Sequence, residues 1–185
     1  MPDPAQKKAT YEDLCRLPDR VIGEIVNGEL VATPRPSFRH SSIALGLGVK
    51  IGNPFRFGEG GPGGWLILLE PEVHFGEDIL VPDLAGWRKE RLPQLPDTNW
   101  TDVVPDWACE ILSPGTIRLD RVRKMPRYAA AGVPHLWLIG PTAKTLEIFR
   151  LETGRWALLS TFLENDLVRA EPFEAVEIDL GLLWE

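Results

Sequence analysis

Pro105-Asp106-Trp107-Ala108-Cys109-Glu110-Ile111-Leu112 is an apolar run broken by one internal charge, and Val81-Pro82-Asp83-Leu84-Ala85-Gly86-Trp87 sets a second acid at the mouth of another strand. An unpaired buried carboxylate is costly; it takes up a proton or recruits a cation. Two of them at adjacent strand ends point to a shared divalent ion, and oxygen-only ligands favour Mg²⁺ or Mn²⁺ over zinc. The plainer alternative is that each acid is salt-bridged, or that strand alternation turns Glu110 toward solvent. Cys109 is expected on the opposite face of the strand from Glu110, buried and inert.

Outward from this pair the chain reads as short strands separated by turns. Val21 to Val26 and Glu29 to Thr33 flank Asn27-Gly28, a two-residue hairpin signal, because both turn positions need positive φ. Trp65 to Leu69, Glu72 to Phe75, Leu84 to Trp87, Trp107 to Leu112 and His135 to Ile139 are further strands. Thr145 to Leu151 and Trp156 to Phe162 form a second hairpin through Glu152-Thr153-Gly154-Arg155. Helices are expected at Tyr11 to Arg16, capped by Thr10, and from Ser37 to Ile51, where the apolar spacing fits both periods and length decides. A third runs from Arg118 to Ala131 and stops at Gly132; Pro126 must kink it or lie in its first turn. Gly52 to Gly64 and Arg88 to Pro105 read as loops, the latter with one helical turn. The inventory predicts an α/β (α+β) domain spanning 1–185: a central mixed β-sheet flanked by helices, with additional β-hairpins.

The chain has 185 residues with Lys+Arg 20 against Asp+Glu 27, a formal net charge of -7. That balance argues against a protein that coats nucleic acid through bulk charge, but not against an enzyme touching a few phosphates. Two cysteines make no disulfide framework, no apolar run is long enough to span a membrane, and Met1 to Thr10 lacks an apolar signal core. A cytoplasmic location is the default expectation.

Local positive charge gathers after the Ser113-Pro114-Gly115-Thr116 turn, in Arg118, Asp120, Arg121, Arg123, Lys124 and Arg127. On an unbroken helix Asp120, Lys124 and Arg127 share a face. Such runs are most often solvated, salt-bridged surfaces. The functional reading has Lys124 reaching back to the strand carboxylates while the arginines hold phosphates.

The order of a hairpin bearing Glu24, His40 on the next helix, Pro82-Asp83, Glu110-Ile111-Leu112-Ser113-Pro114, Asp120 to Lys124, Tyr128 to Val133 and Leu136-Trp137-Leu138-Ile139 resembles the Uma-type endonucleases. These are bacterial members of the restriction-endonuclease-like PD-(D/E)XK superfamily. The resemblance covers about Tyr11 to Phe162 and implies metal-dependent hydrolysis of phosphodiesters. By it, Asp83 and Glu110 match the motif acids and Glu24 an extra metal ligand; His40 matches a histidine near the site, without an assigned role. The superfamily lysine two residues after the glutamate is replaced by Leu112, and Lys124 on the following helix takes its place. The resemblance thus implies a Mg²⁺ or Mn²⁺ site formed by Asp83, Glu110, the Ile111 carbonyl and Glu24. DNA is the expected substrate, Lys124 orients water or offsets phosphate charge, and Arg121, Arg123 and Arg127 are candidates for phosphate positioning.

Two other readings compete. Leu112 and the acidic balance suit a nuclease-like fold that has lost catalysis and serves in binding or assembly. A glycosidase with Asp83 and Glu110 as paired carboxylates would need an aromatic cleft; the seven tryptophans fall mostly in or beside strands and are better read as core. The edges of a small mixed sheet need cover, which makes a homodimer an expectation.

Overall fold

The computed structural model describes residues 8–184; the polar stretch Met1 to Lys7, most of the segment read above as lacking a signal core, lies outside the described residues. The chain alternates short strands with three helices. These are α1 (Tyr11–Cys15), β1 (Val21–Val26), β2 (Glu29–Pro34), α2 (Phe38–Ile51), β3 (Trp65–Leu69), β4 (Glu72–Phe75), β5 (Asp78–Leu80), β6 (Leu84–Arg88), β7 (Trp100–Thr101) and β8 (Trp107–Ile111). There follow α3 (Met125–Ala131), β9 (His135–Gly140), β10 (Thr145–Glu152), β11 (Arg155–Leu163), β12 (Leu167–Val168) and β13 (Ile178–Asp179). The fold is mixed α+β, as the pattern predicts, but with two principal sheets rather than one.

A six-stranded sheet in the order β11-β10-β9-β8-β6-β3 is the centre of the molecule; only β8 and β9 within it are parallel. Parallel neighbours need a crossover, and the segment between them, carrying α3, supplies it. The β1–β2 hairpin belongs to a second sheet, β2-β1-β5-β4-β7. Its Asn27-Gly28 turn has φ of 56° and 77°, the pair of positive values that a tight hairpin demands. β5 is three residues long and gives no sequence signal of its own; it forms because β1 and β4 flank it.

Alternation along the strands divides the interior in two. Trp107, Cys109 and Ile111 of β8 join Trp137 and Ile139 of β9 beneath α2, which buries Ile43, Leu47 and Ile51 at helical spacing. Leu45 and Val49 remain exposed, which settles the ambiguous period in favour of a helix. Phe173 closes this core, its ring 4.7–5.6 Å from those of Phe55, Trp65, Trp107 and Trp137. Gly86 lets the two nearest indoles approach: a Cβ there would lie 3.2 Å from Trp65 and 3.3 Å from Trp107. On the other face Ala108, Leu112, Leu136 and Leu138 pack with Tyr128 of α3 and with Val26 and Leu80 of the second sheet. Leu112 is thus a core residue.

Two segments form π-helical turns that the pattern does not predict, each beside a proline. Gly52–Phe57 continues α2 as a π-helical turn instead of a loop, and Leu119–Lys124 is a π-helical turn leading into α3. Pro54 and Pro126 have no N–H for the carbonyl four residues back, and their rings clash with it; widening the turn relieves the clash. Pro126 accordingly sits in the first turn of α3, and Gly132 ends that helix at φ 83°. The first π turn also covers the free edge of β3, where Arg56 Nη1 donates to the Ile67 carbonyl at 2.5 Å. Arg88 to Pro105 carries no helix, and its Trp100–Thr101 segment pairs in parallel with β4.

Candidate active site

Register puts the two motif acids side by side. Leu84 of β6 pairs with Cys109 of β8, so one step outward Asp83 stands level with Glu110 on the same face. The Asp83 carboxylate is held on both oxygens: Oδ2 accepts the Ile111 N–H at 2.6 Å, and Oδ1 lies 2.8 Å from His40 Nε2. Ser37 caps α2 by accepting the His40 N–H, and this fixes the turn from which the imidazole projects. Burial lowers the His40 pKa, but the hydrogen bond and charge of Asp83 outweigh it and leave it above its ordinary value.

Glu110 is 2% exposed and Lys124 3% exposed, so neither faces solvent. Lys124 Nζ sits 2.7 Å from Glu110 Oε1, 2.8 Å from Glu24 Oε1 and 3.1 Å from the Val81 carbonyl. An ammonium has three protons, and three oxygens surround it. Glu24 reaches this point from β1, where its Oε1 also accepts at 2.8 Å the N–H of Val81, the residue after β5 in the same sheet. The widened turn keeps Asp120 and Lys124 together on its buried side, with the Met125 N–H bonded to the Asp120 carbonyl five residues back.

One ammonium cannot neutralise two carboxylates. Burial pushes the Glu110 carboxyl well above its usual range, and the charges of Asp120, Asp83 and Glu24 add to the push that Lys124 opposes. Burial works against the Lys124 charge as well, yet Glu110 and Glu24 together hold its pKa above the ordinary value. Asp120 is raised to about 6, chiefly by burial. The Tyr128 hydroxyl, fully buried, donates to Glu110 Oε1 at 2.5 Å. No separate sequence argument marks Tyr128 as part of the site; its position four residues after Lys124 is the signal that could have done so.

The expected site residues divide into two groups. Glu24, His40, Asp83, Glu110, Asp120 and Lys124 line one cleft of about 750 Å³ between the sheets. The three candidate phosphate-positioning arginines are engaged elsewhere. Arg121 pairs with Glu147, Arg123 with Glu29 and the Val26 carbonyl, and Arg127 with Asp78 at 2.6 Å. Of these only Arg123 borders the cleft; Arg127 lies at a separate hollow beside His74 and Trp100. Arg127 turns to Asp78 instead of joining Lys124 in the cleft. Cys109 is buried on the opposite side, its thiol pKa driven up by burial. As the side chains stand, no three His, Cys, Asp or Glu among the described residues form a group able to hold a metal ion. No described helix is long and apolar enough to cross a membrane.

Residues 9–181 match the Uma2 family, described as "Putative restriction endonuclease". A solved structure, that of a "putative nuclease belonging to DUF820" from Anabaena variabilis, superposes with a TM-score of 0.76 at 24% identity. The match covers 95% of this chain and 97% of that one, and at this identity it establishes the fold. No curated protein matches the sequence. With the match running from α1 to the last turn of the chain, the protein belongs to the Uma2 family.

Proposed function

We propose that the protein is a metal-dependent endonuclease that hydrolyses DNA phosphodiester bonds in the cleft between its two sheets. The observation that carries this reading is the charge imbalance on the cleft floor. Glu24, Asp83, Glu110 and Asp120 meet there against one ammonium and one imidazole. Burial, with their mutual repulsion added to it, raises the Glu110 and Asp120 carboxyls. An all-oxygen donor set with surplus negative charge fits a hard divalent cation, Mg²⁺ or Mn²⁺. Asp83, Glu110, the Ile111 carbonyl and Glu24 would hold it; Glu24 and Glu110 each keep a second oxygen outside the Lys124 contacts. When bound, such an ion polarises the scissile phosphate and acidifies water for attack near neutral pH.

The protein's own groups act by positioning. His40 and the Ile111 N–H fix both oxygens of Asp83, so its carboxylate plane does not turn. Lys124 and Tyr128 hold the same oxygen of Glu110 and leave the other directed by that anchor. Because its protons are already occupied, Lys124 acts as the organiser of two carboxylates, and it must release one of them to touch water or phosphate.

The test is nicking of supercoiled plasmid in Mg²⁺, together with Mg²⁺ titration by calorimetry. Glu110→Gln and Asp83→Asn are expected to lower cleavage at least about a hundredfold, on the scale of lost electrostatic stabilisation. Glu110→Gln keeps or raises thermal stability, since it removes a buried charge. Equal nicking by wild type and both variants overturns the assignment. A wild-type protein that binds neither Mg²⁺ nor Mn²⁺ favours the second reading, a binding module on a nuclease fold. The occupied state of Lys124 and the burial of Leu112 at the lysine position are what support that alternative.

A further inference from the structure

α2 is apolar on two opposite sides. Ile43, Leu47 and Ile51 face the core, while Phe38 is 97% exposed, Leu45 61% and Val49 48%. At 3.6 residues per turn, Phe38, Ser42, Leu45 and Val49 fall within about 60° of one another, diametrically opposite the buried three. Arg39, His40 and Lys50 lie off this line, so the outward stripe is uncharged. Its flanks are already packed: a Cβ on Gly46 would lie 3.2 Å from Leu183, and one on Gly48 3.7 Å from Leu69. The stripe runs on to Phe57 of the following π turn and Leu69 of β3, 65% and 50% exposed. With Leu45 and Val49 these two line a hollow of about 210 Å³. A helix that is hydrophobic all round belongs in an interior, and here the outward stripe is the side left uncovered.

We infer that this stripe is the contact through which two copies of the chain pair, packing α2 against α2 across a two-fold axis. Phe38, Ser42, Leu45 and Val49 stand four, three and four residues apart, the spacing of a helix–helix seam. A two-fold contact needs one surface that complements itself. Bulky side chains set around Ser42, and flanked by Gly46 and Gly48, supply both the knobs and the gaps that receive them. The stripe offers no charge for an acidic or basic partner to read, and a chain of net charge -7 meets no like charge there in its own copy. Phe38, Leu45, Val49, Phe57 and Leu69 together expose on the order of 500 Å² of apolar surface, at the upper end of what a monomer shows. With the Ser and Gly residues beside them they come near the roughly 800 Å² per partner of a stable pair. Pairing here does not depend on the chemistry of the cleft, and it uses a helix face, not a sheet edge.

The full chain and its variants are followed by sedimentation velocity and light scattering across the micromolar range. Wild type is expected at twice the chain mass. Leu45→Glu and Leu45→Lys each run as monomers with wild-type far-UV circular dichroism, because a charge buried in the seam has no partner. An equimolar mixture of the two regains the doubled mass, since the charges then oppose each other. Phe38→Ser alters a side chain almost wholly exposed in one copy, and so outside its fold. It weakens pairing about thirtyfold, and it decides the matter if either Leu45 variant fails to fold. A wild-type protein that stays monomeric throughout the range overturns the inference. So does a dimer that both Leu45→Glu and Phe38→Ser leave intact, since the copies would then meet elsewhere. A monomer that floats with anionic vesicles through Phe38 and Phe57 overturns it too, in favour of a lipid surface.

Discussion

The two faces of β8 differ in almost every physical respect. On one, Trp107, Cys109 and Ile111 lie in an aromatic and aliphatic core under α2. On the other, Glu110 sits at the same depth among Lys124, Tyr128 and Glu24. Burial of the first face stabilises the fold by the ordinary hydrophobic route. Burial of the second does the reverse: the charges lose hydration, and even a well-formed buried ion pair adds little net stability. The lesson is that one five-residue strand separates stability from chemistry by its period of two.

This contrast can be broken in several ways. Trp107→Ala should have the largest effect, about 3–5 kcal/mol of lost stability in urea denaturation, because the indole is fully buried against Phe173 and Trp137. If it costs no more than a surface change, the aromatic core is not what holds β8 in place.

Asp120→Asn acts on the charged face with opposite sign. The carboxyl is raised from 3.8 to about 6 when folded, so the folded state binds more protons between those values. Stability is therefore lost as pH rises through that window and stays low above it. The asparagine variant escapes this loss. It should be more stable than wild type at pH 8 by on the order of 3 kcal/mol, with the advantage gone below about pH 4. A constant offset in thermal melts across that range would show that Asp120 ionises freely.

Tyr128→Phe removes one hydrogen bond to Glu110 and leaves the ring in the core. A loss of about 1–2 kcal/mol is expected, with a larger fractional loss of Mg²⁺ affinity in calorimetry if the hydroxyl orients the carboxylate. Unchanged metal affinity would reduce Tyr128 to a packing residue. Cys109→Ala is the smallest change, about 1 kcal/mol or less, with cleavage untouched because the thiol faces away from the cleft. A loss of cleavage there would mean that the two faces are coupled.

Legibility followed locality. The Asn27-Gly28 turn, the period-two strands and the Gly132 stop are local signals, and each marks a structural boundary. Asp83 and Glu110 were conspicuous because acids inside apolar runs conflict with burial. The arginines were harder to place, because a basic run gives charge but not direction. Glu147, Glu29 and Asp78, all distant in sequence, engage them. β5 carried too few residues for any pattern, and the π turns follow from prolines whose consequence depends on the helix around them.

By itself, then, the sequence determined the strand and turn inventory, the mixed fold class, and the two acids that do not belong in a core, because period and polarity are properties of neighbouring residues. Only the tertiary structure decided that Glu24 crosses from a second sheet to share one lysine with Glu110, and that His40 and Tyr128 hold the acids in place. Those contacts join residues tens of positions apart. Their energies depend on desolvation, which exists only once the chain has closed around them.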